Sequence, residues 1–405
     1  MLKKDFPIFQ THPNLVYLDS TATSQKPAYV IDGLAEYLRS SYANIHRGSY
    51  EISEISEKLY EDSKRKVAKN IGAENWREVI YTANSTYALN LLAQSIWRTG
   101  LLKKWDKVLV SIVEHHANVV PWLILKEDYG IELDFIAIKD DYSLDYNDFR
   151  SKLDDNVKIV SLAHVSNTTG QIFDLENVNS LLFARYGKER PLFIVDASQS
   201  VPHFQIDVQN IGCDALFFTG HKIFADSGIW ILWAKEELLK KLKPIFSGGG
   251  AIWYVNQNEF THSEVLPDKF EPGTPNLSGA VSLLKAFEYV ESIWGYEVLE
   301  KIEHELVAYA LEKFSQNKNI QLIWGNSPNS RVWVFTFYIE GIHSFDISDY
   351  LADHNIAIRA GQHCAEPFMQ HEEQKHTCRM SLHIYNTKED IDRFFEVLEK
   401  AIKDL

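Results

Sequence analysis

A series of short apolar runs that do not alternate with polar residues constrains this 405-residue chain more than anything else in it. Val108-Leu109-Val110, Ile159-Val160-Ser161-Leu162, Leu192-Phe193-Ile194-Val195 and Ala215-Leu216-Phe217-Phe218 recur, separated by amphipathic stretches such as Leu175 to Tyr186. A strand open on one face alternates, whereas a strand covered on both faces reads as a continuous apolar run. Strand, helix, strand in succession predicts an α/β fold with a mostly parallel sheet. Ligands in such sheets sit at the carboxyl ends of the strands, so the residues just after each run are the first to inspect.

Composition closes off several other classes. The chain is 45% hydrophobic and 24% charged, an ordinary globular balance that excludes a disordered or fibrous protein. Lys plus Arg is 41 and Asp plus Glu is 56, a net charge of −15, which disfavours nucleic acid as a partner. The longest apolar run, Ile229 to Ala234, falls far short of the roughly 20 residues that cross a membrane. No leader is readable after Met1-Leu2-Lys3-Lys4, so a cytoplasmic protein is expected. Three cysteines, Cys213, Cys364 and Cys378, are too few and too uneven for a disulfide framework.

The pattern changes after Ile245. Ser247-Gly248-Gly249-Gly250 and Glu271-Pro272-Gly273-Thr274-Pro275-Asn276 read as loops. A helical stretch is expected from Ser278 to about Ser315, with Leu283, Ala286, Phe287 and Val290 on one face. Then come a strand over 332–338, a helix over 344–355, strands over 356–359 and 379–384, and a helix over 388–402. The expected division is an N-terminal segment 1–15 packing near the small domain, a large domain 16–280, and a smaller α+β domain 281–405.

The strand ends carry reactive side chains. Asp196 follows one run, and Thr219-Gly220-His221-Lys222 follows its neighbour. A lysine and a buried acid at adjacent strand ends suit pyridoxal phosphate, which needs a Schiff-base lysine and a carboxylate for its ring nitrogen. A core Asp and a surface Lys is the plainer alternative. His115 and His116 follow the 108–113 run. One ring is suited to stack on a flat cofactor, and a solvated capping pair is the alternative. Ser85 and Thr86 open a helix, where hydroxyls serve either a phosphate or an N-cap. Cys364 lies in Arg359-Ala360-Gly361-Gln362-His363-Cys364, where nearby cations favour a thiolate; a structural thiol is the alternative. Its spacing from His371, His376 and Cys378 matches no common zinc pattern, so no metal is expected, and Cys213 and Cys378 read as core. Arg379 is suited to a carboxylate or to an ordinary ion pair.

Taken in order, these segments resemble one family. His46-Arg47-Gly48, Glu114-His115-His116-Ala117-Asn118, His164-Val165-Ser166-Asn167, Asp196-Ala197-Ser198-Gln199, Thr219-Gly220-His221-Lys222, Gly273-Thr274-Pro275-Asn276 and Arg359 to Cys364 are similar to motifs of class V, fold-type I pyridoxal-phosphate enzymes. Within that class the chain resembles cysteine desulfurases of the sulfur-mobilisation type, whose scaffold selenocysteine lyases share. The resemblance implies a large domain with a mostly parallel seven-stranded sheet and a smaller C-terminal domain. It implies that Lys222 forms the Schiff base, Asp196 partners the ring nitrogen, Gln199 the ring hydroxyl, and His115 stacks on the ring. Ser85, Thr86, Thr219 and His221 fall where the family holds the phosphate. Thr274 falls where a residue reaches the neighbouring subunit's phosphate, so a homodimer with shared sites is implied. Asn167, Arg359, Arg379, His46 and Arg47 fall at substrate positions, and Cys364 at the sulfur-accepting nucleophile. L-cysteine is the implied substrate, and the implied acceptor is a small sulfur-mobilisation protein (SufE-like or SufU-like).

The sequence departs from the family in three places. Asn84-Ser85-Thr86-Tyr87 stands for Gly-Thr-Thr-Glu, Ala225-Asp226-Ser227-Gly228 for Gly-Pro-Thr-Gly, and Gln362 for a histidine. Two other readings follow: a selenocysteine lyase, or a degenerate homologue acting as a binding partner.

Overall fold

In the computed structural model the apolar runs become neighbouring strands of one seven-stranded sheet. The structure describes residues 2–293, 295–323 and 328–405, with only the backbone of Ser85 and Pro328. Across the sheet the order is Val79–Thr82, Trp230–Ala234, Ala215–Thr219, Leu192–Asp196, Val157–Ala163, Lys107–Ser111, Glu132–Ile136. All neighbours pair in parallel except Trp230–Ala234, which is antiparallel to both of its neighbours. That strand follows Ala215–Thr219 after a short connection with no crossover helix, so it must return in the opposite sense.

The unbroken apolar runs have a direct cause. Successive side chains point to opposite faces. Val160, Phe193, Val195, Leu216 and Phe218 enter one core, while Ile159, Ile194, Ala215 and Phe217 enter another. The first core receives Leu175, Val178 and Leu182 of the Leu175–Tyr186 helix. The second receives Leu89 and Leu92 of Ser85–Thr99 and Trp122 and Leu125 of Val120–Tyr129. Each such side chain, fully buried, contributes roughly 1.5–3 kcal/mol before entropy is set against it. This is the expected α/β architecture.

The later elements differ from expectation in detail. The stretch from 278 to 315 is two helices, Leu277–Ser292 and Tyr296–Gln316. Gly295 divides them in a left-handed conformation, φ 77°, that a continuous helix cannot contain. The expected 356–359 strand is also two. Ile356–Ala357 pairs with Val16–Tyr17, and Arg359–Gly361 joins a four-stranded antiparallel sheet with Thr377–Ser381, Val334–Ile339 and Ile320–Leu322. The strand expected over 379–384 occupies 377–381, because its pairing runs from Thr377, opposite Gly361, to Ser381, opposite Val334. The final helix, Lys388–Asp404, opens with a capping box of Thr387 and Asp390. Asp390 also receives Lys3 Nζ at 2.8 Å, and the Phe6 ring packs on Tyr385, Phe224 and Tyr289, which ties the N-terminus down.

Candidate active site

Parallel strands end on one edge of the sheet, so their terminal residues meet. Asp196 closes Leu192–Asp196, and Gly220–Lys222 turns out of Ala215–Thr219 beside it. The turn depends on Gly220, where a Cβ would lie 2.9 Å from Ile229 O. Asn167 follows Val157–Ala163, and His115 follows Lys107–Ser111, one strand further out. Arg359, Arg379 and Cys364 arrive from the C-terminal sheet. All of these line one cavity of about 580 Å³. Gln199, Thr219, His221 and Thr86 line it as well.

Four expected residues are not found there. Ser85 starts the helix, but its side chain lies outside the described residues. His46 and Arg47 line a separate cavity of about 130 Å³ with Gly250, Asp268, Glu271 and Pro275. Thr274, adjacent to Pro275, is exposed. The capping alternative is corrected too: the cap is Asn84, whose Oδ1 accepts the Tyr87 N–H at 2.7 Å, which leaves Thr86 free to face the cavity.

Burial sets the charge states. It holds the Lys222 ammonium down to about 8; Asp196 opposes this and Arg379 adds to it. Burial also raises the Asp196 carboxyl, against the Ser198 amide, which donates to Oδ1 at 2.9 Å, and against Lys222. His115 is pushed down to about 3 by burial and by the charges of Lys222, His116 and Arg379. Its Nδ1 accepts the Ala117 N–H at 3.0 Å. The imidazole is therefore neutral at pH 7 and carries its proton on Nε2. His221 is likewise held down to about 3, by burial and by Lys222, and its ring lies 4.9 Å from that of Trp230.

The C-terminal residues are anchored through the first strands. Arg359 stands opposite Arg379 in the sheet register. Asp19 accepts from Arg359 Nε at 3.1 Å and Nη2 at 2.8 Å, and lies 3.8 Å from Arg379 Nη2. Arg379 Nη1 donates to Asn167 O at 2.9 Å, while its buried Nε has no partner among the described residues. Thr219 Oγ1 is orphaned in the same way. Buried donors without partners on the wall of a cavity mark where a ligand's oxygens belong. Cys364 is exposed, whereas Cys213 and Cys378 are buried and burial raises both of their thiols.

Sequence reasoning passed over Asp19 and Glu114 as site supports. Glu114 is buried and pushed up to about 7 by burial. It accepts from Asn118 Nδ2 at 2.7 Å and from the Ala163 N–H at 2.9 Å, which fastens the His115 turn to the next strand end. An acid immediately before a strand-end histidine was the available signal.

The sequence pattern described as "Aminotransferase class-V" matches residues 16–394. A probable cysteine desulfurase of Halalkalibacterium halodurans is 38% identical over 403 residues, covering 99% of this chain and 97% of the relative. One from Synechocystis is 38% identical over 407 residues, covering 99% and 95%. The chain belongs to the class-V aminotransferase family, on its cysteine desulfurase branch. Among solved structures, the apo cysteine desulfurase of Thermococcus onnurineus superposes with a TM-score of 0.93 at 33% identity, covering 100% of this chain and 98% of that one. The Escherichia coli cysteine desulfurase CsdA, in an S-sulfonic acid form, gives 0.90 at 29% identity with the same coverage. This class-V chain thus shares the fold-type I architecture of those enzymes from end to end.

Proposed function

We propose that this class-V protein is a pyridoxal-phosphate-dependent cysteine desulfurase that converts L-cysteine to L-alanine and takes the sulfur onto Cys364. One observation carries the reading: Lys222, the buried Asp196 and the exposed Cys364 line a single cavity. The orphaned Thr219 Oγ1, the Thr86 hydroxyl and His221 suit a phosphate, and the buried acid suits a pyridinium nitrogen. Gln199 spends its Nε2 on Thr21 O at 3.1 Å, so its Oε1 is available to the ring hydroxyl. When bound, the cofactor supplies an electron sink for charge developing at the substrate's Cα.

This chain's own residues do the rest. Asn167, Arg359 and Arg379 orient the substrate carboxylate, with Asp19 fixing the two guanidinium groups. Lys222, its amine held down to about 8, takes the Cα proton near neutral pH. His115 offers its Nε2 proton toward the substrate sulfur. The Cys364 thiolate attacks that sulfur, the carbon–sulfur bond breaks with its electron pair passing to Cβ, Cβ takes up a proton, and a Cys364 persulfide and alanine result. Thr274, His46 and Arg47 act in the site of a second copy of the chain, which would explain why they lie outside the cavity of their own. The persulfide then passes to a small acceptor protein in a reducing, cytoplasmic setting. No described helix is long and apolar enough to cross a membrane.

The test is an alanine-plus-sulfide assay on purified protein given L-cysteine, repeated with selenocysteine. Lys222→Ala should lose the visible absorbance of lysine-bound cofactor. Cys364→Ala should keep that absorbance and lose cysteine turnover. A Cys364→Ala protein working at the parent rate would reduce Cys364 to a structural residue, and activity on selenocysteine alone would favour a lyase.

A further inference from the structure

The short loop that carries Cys364 is held at three points. Asn167 Nδ2 donates to His363 O at 2.8 Å. The His116 N–H donates to Cys364 O at 2.8 Å. The third hold joins side chains: His116 Nε2 is in ion-pair contact with the Glu366 carboxylate. The Glu366 N–H also points at His116 Nε2, 3.3 Å away. Between the holds, His363 and Cys364 both have φ 56°. Non-glycine residues stay in that left-handed region only where their surroundings over-determine them.

We infer that Glu366 and His116 form a clasp that positions the Cys364 thiol at the cleft and restrains it from swinging outward. Both are positioning residues: they act on the loop through Cys364 O and the residue two places beyond the thiol. Nothing in the sequence links residues 250 positions apart, so only the fold brings the pair together. The inference rests on reading Cys364 as the sulfur-accepting residue, but its test does not depend on turnover.

That test is the rate at which iodoacetamide alkylates Cys364 in cofactor-loaded protein. Cys213 and Cys378 are both 0% exposed, so the signal belongs to Cys364. Wild type, Glu366→Gln, His116→Gln and the double variant form a cycle. A clasp predicts that each single variant accelerates alkylation by roughly 2- to 10-fold, by the same factor, and that the double variant adds nothing. Unchanged single variants would overturn it. So would opposite or additive effects, which are the mark of two charges acting separately on the thiol. Glu366→Asp, which keeps the charge at shorter reach, should fall between wild type and Glu366→Gln. Should wild type release no alanine from cysteine, the desulfurase reading fails while the cycle still reports on the clasp.

Discussion

Lys222 and Asp196 illustrate how far single residues are governed by where a strand ends. Burial lowers the Lys222 ammonium from 10.5 to about 8 in the folded chain. The unfolded chain therefore binds the extra proton between those values, and the stability contributed by Lys222 rises with pH through that window. Thermal melts of cofactor-free protein should show Lys222→Met above wild type below pH ~8, with the gap closing toward pH ~10.5. Asp196 is the counterpart. Asp196→Asn keeps the shape and removes the charge that would hold the ring nitrogen protonated. Steady-state kinetics should show kcat lower by ~10²–10³-fold, with cofactor still bound. Both residues could be found in the sequence because Asp196 directly follows an apolar run and Lys222 closes the short turn after its neighbour. Glu114 left only its place before His115 as a signal, and the role of Asp19 left none, since it acts on partners that folding delivers.

At the scale of elements, the site depends on short connectors fastened to strand ends. Glu114 joins the His115 turn to Ala163. Burial raises its carboxyl from 4.5 to about 7, so the folded state holds the proton more tightly than the unfolded one. Its stabilising contribution is full below pH 4.5 and is lost as pH rises through about 7. The melting temperature of wild type relative to Glu114→Gln should fall across that interval; a constant difference would show that Glu114 does not titrate there. The last helix gives a simpler case. Thr387 caps it and shares a reciprocal box with Asp390, so Thr387→Ala should cost about 1 kcal/mol in denaturant unfolding. The helix itself was legible from its periodicity. The strand over 356–359 was misread as one element because pairing partners, not local preference, divide it between two sheets.

Two separate cavities divide the expected site residues between them. The larger is lined by Lys222, Asp196, His115 and Cys364, and the smaller, beside Thr274, by His46 and Arg47. Near the second, the Ile252–Val255 and Phe260–His262 hairpin leaves Trp253 81% and Val255 68% exposed. Exposed apolar surface of that kind suits an interface with another chain. Sedimentation should show a dimer at micromolar concentration. Thr274→Val should keep the dimer but lose cofactor faster on dialysis, although Thr274 lies outside its own chain's large cavity. A monomeric protein with full cofactor retention would remove the shared-site reading.

The architecture and the order of the reactive residues are written in the chain's local pattern. Continuous apolar runs allow only strands covered on both faces, and parallel strands put Asp196, Lys222, Asn167 and His115 on one edge. The pairings between distant segments arise only on folding: Arg359 opposite Arg379 on Asp19, Glu366 on His116, and Asn167 under His363. Periodicity is a property of neighbours along the chain, and it is written in the sequence. Side-chain partners hundreds of residues apart are chosen by packing, which becomes defined only when the sheets and helices have met.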